Sequence, residues 1–220
     1  MKTVYGFGDS LVYGHTKEIG MLEAVVEKYG LVYKKYAVNG ATVMPGISDF
    51  KIDGKNVPDI AAQIKNASDT NPDFVFFDGL TNDAYAEYAG ERTGIITDNY
   101  DGNYDVTTFC GAFENICFLL KTKYQESRIY YVAVHKMPGR DLKLQNMLHE
   151  KERNICEKWS IPYIDIFRKG GINTCISGMR EAYSYDNEQK DTGGNGTHLN
   201  ALGYAKWYAP MIEHVLKEYI

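Results

Sequence analysis

At 220 residues, with 44% of them hydrophobic and 24% charged, the chain can bury one sizeable core and lies far from the composition of disordered proteins. A formal net charge of -5 excludes a nucleic-acid partner held by clustered Lys and Arg, and no apolar run is long enough for a membrane span. Cys110, Cys117, Cys156 and Cys175 are spaced for neither a zinc knuckle nor a CxxC redox pair, and read as buried or idle thiols.

The chain enters a strand-like run at once. Apolar runs at 3–8, 31–38, 74–78, 128–134 and 163–166 alternate with helical patterns at 17–29, 58–66, 108–124, 142–159 and 200–219. That alternation predicts an α/β fold, a three-layer α/β/α sandwich around a central, mostly parallel five-stranded sheet of the flavodoxin-like type. One domain is expected over 1–220, with irregular insertions near 87–105 and 170–196. The N-terminus has no apolar core or small-residue cleavage site of a secretory signal, which points to a cytoplasmic location, although a processed secreted form would look the same.

The first strand leads into Gly8-Asp9-Ser10-Leu11. In a parallel sheet the carboxyl ends of the strands are where ligands gather. Gly8 permits a tight exit, Asp9 can meet backbone N–H groups or a substrate, and Ser10 presents a hydroxyl at the mouth. The plain alternative is a turn in which Asp9 and Ser10 cap the following helix. A serine becomes a nucleophile only beside a base. Of the five histidines, His149 and His214 fall in helical patterns, and His15, past Gly14, reads as a surface or capping residue. His135 directly follows the fourth strand, where it can contact substrate. His198 stands in the loop Asn195-Gly196-Thr197-His198 before the last helix, displayed rather than packed.

Four blocks in order now resemble the SGNH/GDSL hydrolase family over about residues 3–204. They are Gly8-Asp9-Ser10-Leu11 with Gly14, the lone Gly40 after the second strand, Thr81-Asn82-Asp83 after the third, and His198 followed by Asn200-Ala201-Leu202-Gly203-Tyr204. The resemblance implies a serine esterase that hydrolyses a carboxylic ester through an acyl-enzyme on Ser10, with His198 as base. It also implies an oxyanion hole of the Ser10 and Gly40 backbone N–H groups and the Asn82 amide, and a small-molecule or carbohydrate ester as substrate, while the absence of Asp/His ligand spacing such as HExxH points to no metal or cofactor. Glycine at 40 would leave the carbonyl's approach open.

Two positions depart from the family. Leu80 occupies a place usually held by glycine, where it would reshape the pocket wall beside Asn82. Asn195 stands where an aspartate normally orients the histidine. An amide can accept from the imidazole Nδ1–H but brings no charge, and in a serine protease the equivalent exchange lowers turnover about 10,000-fold. Three explanations stay open: a Ser–His dyad helped by another acceptor such as Asp191, a weakened or inactive module that binds a carbohydrate or other small ligand, or a chain altered from aspartate. Asn195-Gly196 is also prone to deamidation, which would restore a carboxylate. Asp165, near the end of the fifth strand, is a further carboxylate whose ordinary role is to cap the next turn. Tyr85, Tyr88, Tyr100 and Tyr104 would suit a sugar ring, so a carbohydrate acetyl ester is expected first and a short-chain lipid or aryl ester next. Otherwise these rings cover the insertion's own cluster.

Overall fold

The computed structural model describes residues 1–185 and 193–220. In chain order its elements are β1 (Thr3–Phe7), α1 (Ser10–Tyr13), α2 (Glu23–Tyr29), β2 (Val32–Lys35), the short β3 (Lys51–Ile52) and β4 (Lys55–Asn56), α3 (Ile60–Asn66) and β5 (Phe74–Phe77). There follow α4 (Phe109–Lys123), β6 (Arg128–Ala133), α5 (Leu142–Lys158), β7 (Tyr163–Asp165), α6 (Ile166–Lys169), α7 (Ser177–Tyr183), α8 (Ala201–Gly203) and α9 (Ala209–Leu216). A π-helical turn at Tyr204–Tyr208 joins α8 to α9. All five expected strands and the five expected helices are present within a few residues. The segment 170–196 is less irregular than expected, because it contains α7.

Five strands make one parallel sheet in the order β2-β1-β5-β6-β7, with Thr3 opposite Val32, Tyr5 opposite Val75, Val75 opposite Ile129 and Val132 opposite Ile164. A parallel sheet must be covered on both faces. Right-handed crossovers running in one direction put α3, α4 and α5 together on one face, while α2, made by the opposite crossover, packs against α9 on the other. The central strand β5 is Phe74-Val75-Phe76-Phe77, buried at every position, whereas the edge strand β2 alternates exposed and half-buried. Truncating Phe77 to alanine would cost about 3–5 kcal/mol.

Helix starts are fixed by side chains that satisfy otherwise unbonded N–H groups. Asp59 accepts from Ala62 N–H at 2.9 Å, Asp141 from Leu144 N–H at 2.8 Å and Asn200 from Gly203 N–H at 2.8 Å. Asp165 accepts from Arg168 N–H at 2.9 Å, the capping role foreseen for it. The four cysteines are free thiols, three of them buried. Among the described residues no helix is long and apolar enough to cross a membrane.

The strand order carries a consequence for function. The chain leaves β1 toward β2 on one side, and β5 leads on to β6 on the other, so the loops after β1 and β5 diverge and leave a crevice at their carboxyl ends.

Candidate active site

Ser10 is set in that crevice by a tightly held turn. Gly8 has φ +139, and a Cβ there would lie 1.7 Å from Asp78 Oδ1, so no other residue fits. From α3, the amide of Gln63 grips Gly8 twice: it accepts from Gly8 N–H and donates to Gly8 O, each at 2.9 Å. Asp9 accepts from Leu11 N–H at 2.8 Å, and its own N–H donates to Asp78 Oδ1 at 3.0 Å. Asp9 is therefore the cap of α1 and lies fully buried, not a substrate contact as the sequence suggested. Burial raises the pKa of Asp9, and burial together with the Asp9 charge pushes that of Asp78 well up. Each carboxyl of the pair disfavours ionisation of the other.

The expected base arrives from the other side of the crevice. Ser10 Oγ and His198 Nε2 are 2.9 Å apart. The loop that carries His198 is anchored through its backbone: Gly196 O accepts from His135 Nε2–H at 2.9 Å and from Thr174 Oγ1 at 2.7 Å. His135 Nδ1 is 2.7 Å from Tyr208 Oη. Fully buried and engaged at both ring nitrogens, His135 supports the loop from beneath and does not reach substrate, contrary to expectation.

Asn195 also departs from the expected arrangement. Its Oδ1 accepts from Thr197 N–H at 2.9 Å, turning the amide back on its own loop rather than onto the imidazole. Ser10 can donate to Nε2 only in the tautomer protonated on Nδ1, and among the described residues nothing accepts from that Nδ1–H. Asp191, the other acceptor considered, lies outside the described residues. What contacts the ring instead is His15, stacked face to face with centroids 3.9 Å apart and planes 8° from parallel. Gly14 at φ +94 and His15 at φ +48 turn the chain over to place it, and His15 Nδ1 lies 3.0 Å from Tyr185 Oη.

The three expected oxyanion donors border the same cleft. Ser10 N–H and Gly40 N–H have no acceptor among the described residues and are free to bond a ligand. Asn82 Nδ2 donates to Ala41 O at 2.9 Å, which fixes the amide beside Gly40. Asp83 accepts from Val43 N–H and Met44 N–H, each at 2.9 Å, and so ties the loop after β2 to the loop after β5. Burial raises Asp83 to about 8. Gly40 is required at φ +77, where a Cβ would sit 2.6 Å from that of Phe50, so the constraint is the Phe50 side chain rather than the incoming carbonyl. Leu80 does not line the pocket. It is fully buried in the core at φ +96, a conformation that strains a leucine by about 1–3 kcal/mol and accounts for the usual glycine.

Ser10, Gly40, Asn82, Asn195 and His198 all line one cleft of about 290 Å³. Sequence reasoning missed three other residues there: His15, Phe50 and Arg140. Arg140 alone carried a usable signal, since it follows the carboxyl end of β6. A second groove of about 290 Å³ continues the cleft past Phe50, lined further by Tyr88, Asp49 and Glu87 and sharing Tyr85 with it. Tyr100 and Tyr104 do not join them. Their rings pack on Trp159 at 5.1 and 6.2 Å and seat the 87–105 segment against the end of α5.

Burial pushes His198 down to about 3, and His15, His135 and Arg140 push in the same direction. The imidazole is thus neutral above that pH and able to accept the serine proton. No carboxylate among the described lining residues balances the cation that would form.

This arrangement can be set beside known proteins. The family model described as GDSL-like lipase/acylhydrolase matches residues 4–211. A Lactobacillus plantarum protein superposes with a TM-score of 0.76 at 16% identity, over 100% of this chain and 98% of its own. The lipase/acylhydrolase from Enterococcus faecalis gives 0.58 at 18% identity, over 99% and 96%. A member of the lipolytic G-D-S-L family from Veillonella parvula gives 0.59 at 13%, over 98% of each chain. At such identities these structures attest the fold. No curated protein matches the sequence.

Proposed function

The chain belongs to the GDSL-like lipase/acylhydrolase family, and from that premise we propose that it is a serine esterase working through an acyl-enzyme on Ser10. The observation that carries this reading is the 2.9 Å approach of Ser10 Oγ to His198 Nε2, within a cleft that also presents Gly40 and Asn82. Ser10 Oγ attacks the ester carbonyl as its proton passes to Nε2. The Ser10 and Gly40 N–H groups and Asn82 Nδ2 receive the developing oxyanion, and the imidazolium returns its proton to the leaving alcohol. Water then repeats the sequence on the acyl-enzyme, with His198 again as base.

A carbohydrate acetyl ester suits the adjoining groove, where the rings of Tyr85 and Tyr88 stand near Asp49 and Glu87. Aromatic faces can pack on a sugar ring while carboxylates accept from its hydroxyls. One observation favours a second reading, a binding module with little turnover: Asn195 is bonded to Thr197, and no carboxylate among the described residues bonds His198.

Turnover of p-nitrophenyl acetate by the protein itself, Ser10→Ala, His198→Ala and Asn195→Asp separates the two. The esterase reading expects activity in the protein itself and loss of at least about 1,000-fold in each alanine variant. Equal rates in the protein and Ser10→Ala would end it. Absence of turnover in every form, with binding of an acetylated sugar by the unmodified protein, would establish the binding module.

A further inference from the structure

Arg140 brings a fixed cation into the catalytic cleft. Its Nε donates to Thr81 O at 2.7 Å and its Nη1 to Gly139 O at 3.0 Å, while the guanidinium lies over the Tyr85 ring, 4.3 Å from the centroid. Two backbone carbonyls and one aromatic face thus hold the group in place. Its remaining N–H donors are left for a ligand. Among the described residues no carboxylate lies within ion-pair distance of it and none lines the cleft. Asp9, below the cleft, is buried in the nucleophile turn and bonded to Leu11 N–H.

The sign of charge along the groove is uneven. One end holds the Arg140 guanidinium beside the neutral ring of His198, and the far end, past Phe50, holds Asp49 and Glu87. The family's aspartate, which would have put a negative charge on the wall, is Asn195 here. A guanidinium held this way is matched in shape and charge by a carboxylate.

We propose that the ester hydrolysed here sits on a molecule that also carries a carboxylate, held by Arg140 beside the scissile bond, with the neutral remainder of the substrate lying along the Tyr85–Tyr88 groove. The inference rests on the esterase reading for its catalytic part only. A bound carboxylate would also supply the negative charge that Asn195 does not, close to the imidazolium that forms on His198. Asparagine at 195 then becomes compatible with turnover, because an aspartate on the same wall would repel such a substrate.

Two measurements test this, one of them without any turnover. Calorimetric titration of Ser10→Ala with 3-hydroxybenzoate and with its methyl ester reads the anion site directly. The acid should bind about 10- to 100-fold more tightly, and Arg140→Gln on the same background should abolish the difference while Arg140→Lys keeps part of it. Equal affinity of acid and methyl ester overturns the proposal, as does a difference that survives Arg140→Gln. The second measurement compares kcat/KM for 3-acetoxybenzoate with its methyl ester, and for 4-nitrophenyl hydrogen glutarate with its methyl ester, so that the carboxylate sits on the alcohol side in one pair and the acyl side in the other. At least one anionic member should be preferred about tenfold, with the preference falling in Arg140→Gln and in Asn195→Asp. Turnover of all four esters without preference overturns the anionic substrate while leaving the esterase intact. Turnover of none, with the titration difference present, overturns the esterase and leaves the carboxylate site standing.

Discussion

The two halves of the catalytic cleft are held by different means. On the nucleophile side, polar side chains buried in the sheet and α3 clamp the turn: Gln63 takes both polar groups of Gly8, Asp78 takes the N–H of Asp9, and Asp83 locks the loop after β2. On the histidine side, no side chain orients the imidazole through a hydrogen bond to Nδ1 among the described residues. The loop is anchored by its backbone at Gly196, and the ring is flanked by the stacked His15. In the proposed esterase the oxyanion donors must not move, and that half is the one clamped by buried side chains. The base half leaves the ring's electrostatics open to whatever enters the cleft.

The largest expected effect lies on the rigid side. Asn82→Ala removes one of the three proposed oxyanion donors and should lower kcat about 100- to 1,000-fold with little change in KM for a small ester. A loss below tenfold would mean that Asn82 serves only to hold Ala41 O. Next comes Gln63→Leu, which strands two buried backbone groups at Gly8. Stability should fall by about 2–4 kcal/mol in chemical denaturation, and residual folded protein should lose turnover because Ser10 is no longer fixed.

On the open side the expected change is a gain. Asn195→Asp puts a carboxylate within the cleft wall, which favours the imidazolium and should raise kcat on a neutral ester by about tenfold or more. The sign of its pH effect follows. His198 is held down to about 3, so the acid limb of kcat/KM in the unmodified protein lies near that value, well below the ordinary histidine range. A nearby negative charge raises the pKa and moves the limb upward. A profile unchanged by the substitution would show that residue 195 does not couple to His198 at all.

The contrast between the halves also tracks what the sequence made legible. Ser10, Gly40, Asn82 and His198 stand in short motifs at strand ends, where local spacing and topology coincide, and the structure gathers them into one cleft. The alternating pattern likewise revealed the parallel sheet, since β5 is apolar throughout and can only be central. Hidden from sequence were pairings across long separations, such as Gln63 with Gly8 and His135 with Gly196. Asp9 and His135 looked like substrate contacts because strand-end position does not say whether a side chain points up into the crevice or down into the core. His15 was hidden by two successive left-handed residues, which reverse the chain where its sequence reads as an ordinary turn.

The smallest effect tests whether that stack orients the base. His15→Ala removes a ring contact that is worth about 0.5–1.5 kcal/mol for aromatic pairs, so kcat should fall about 2- to 10-fold. His15→Phe keeps a flat ring but deletes a partner whose charge opposes protonation of His198. Rates should therefore recover toward the unmodified protein, while the acid limb shifts upward. If Phe and Ala behave alike, stacking does nothing for the base, and His15 acts through its charge or its bond to Tyr185. If both leave kcat and the profile untouched, the backbone anchor at Gly196 is sufficient to hold His198, and the base half is more rigid than its missing carboxylate suggests.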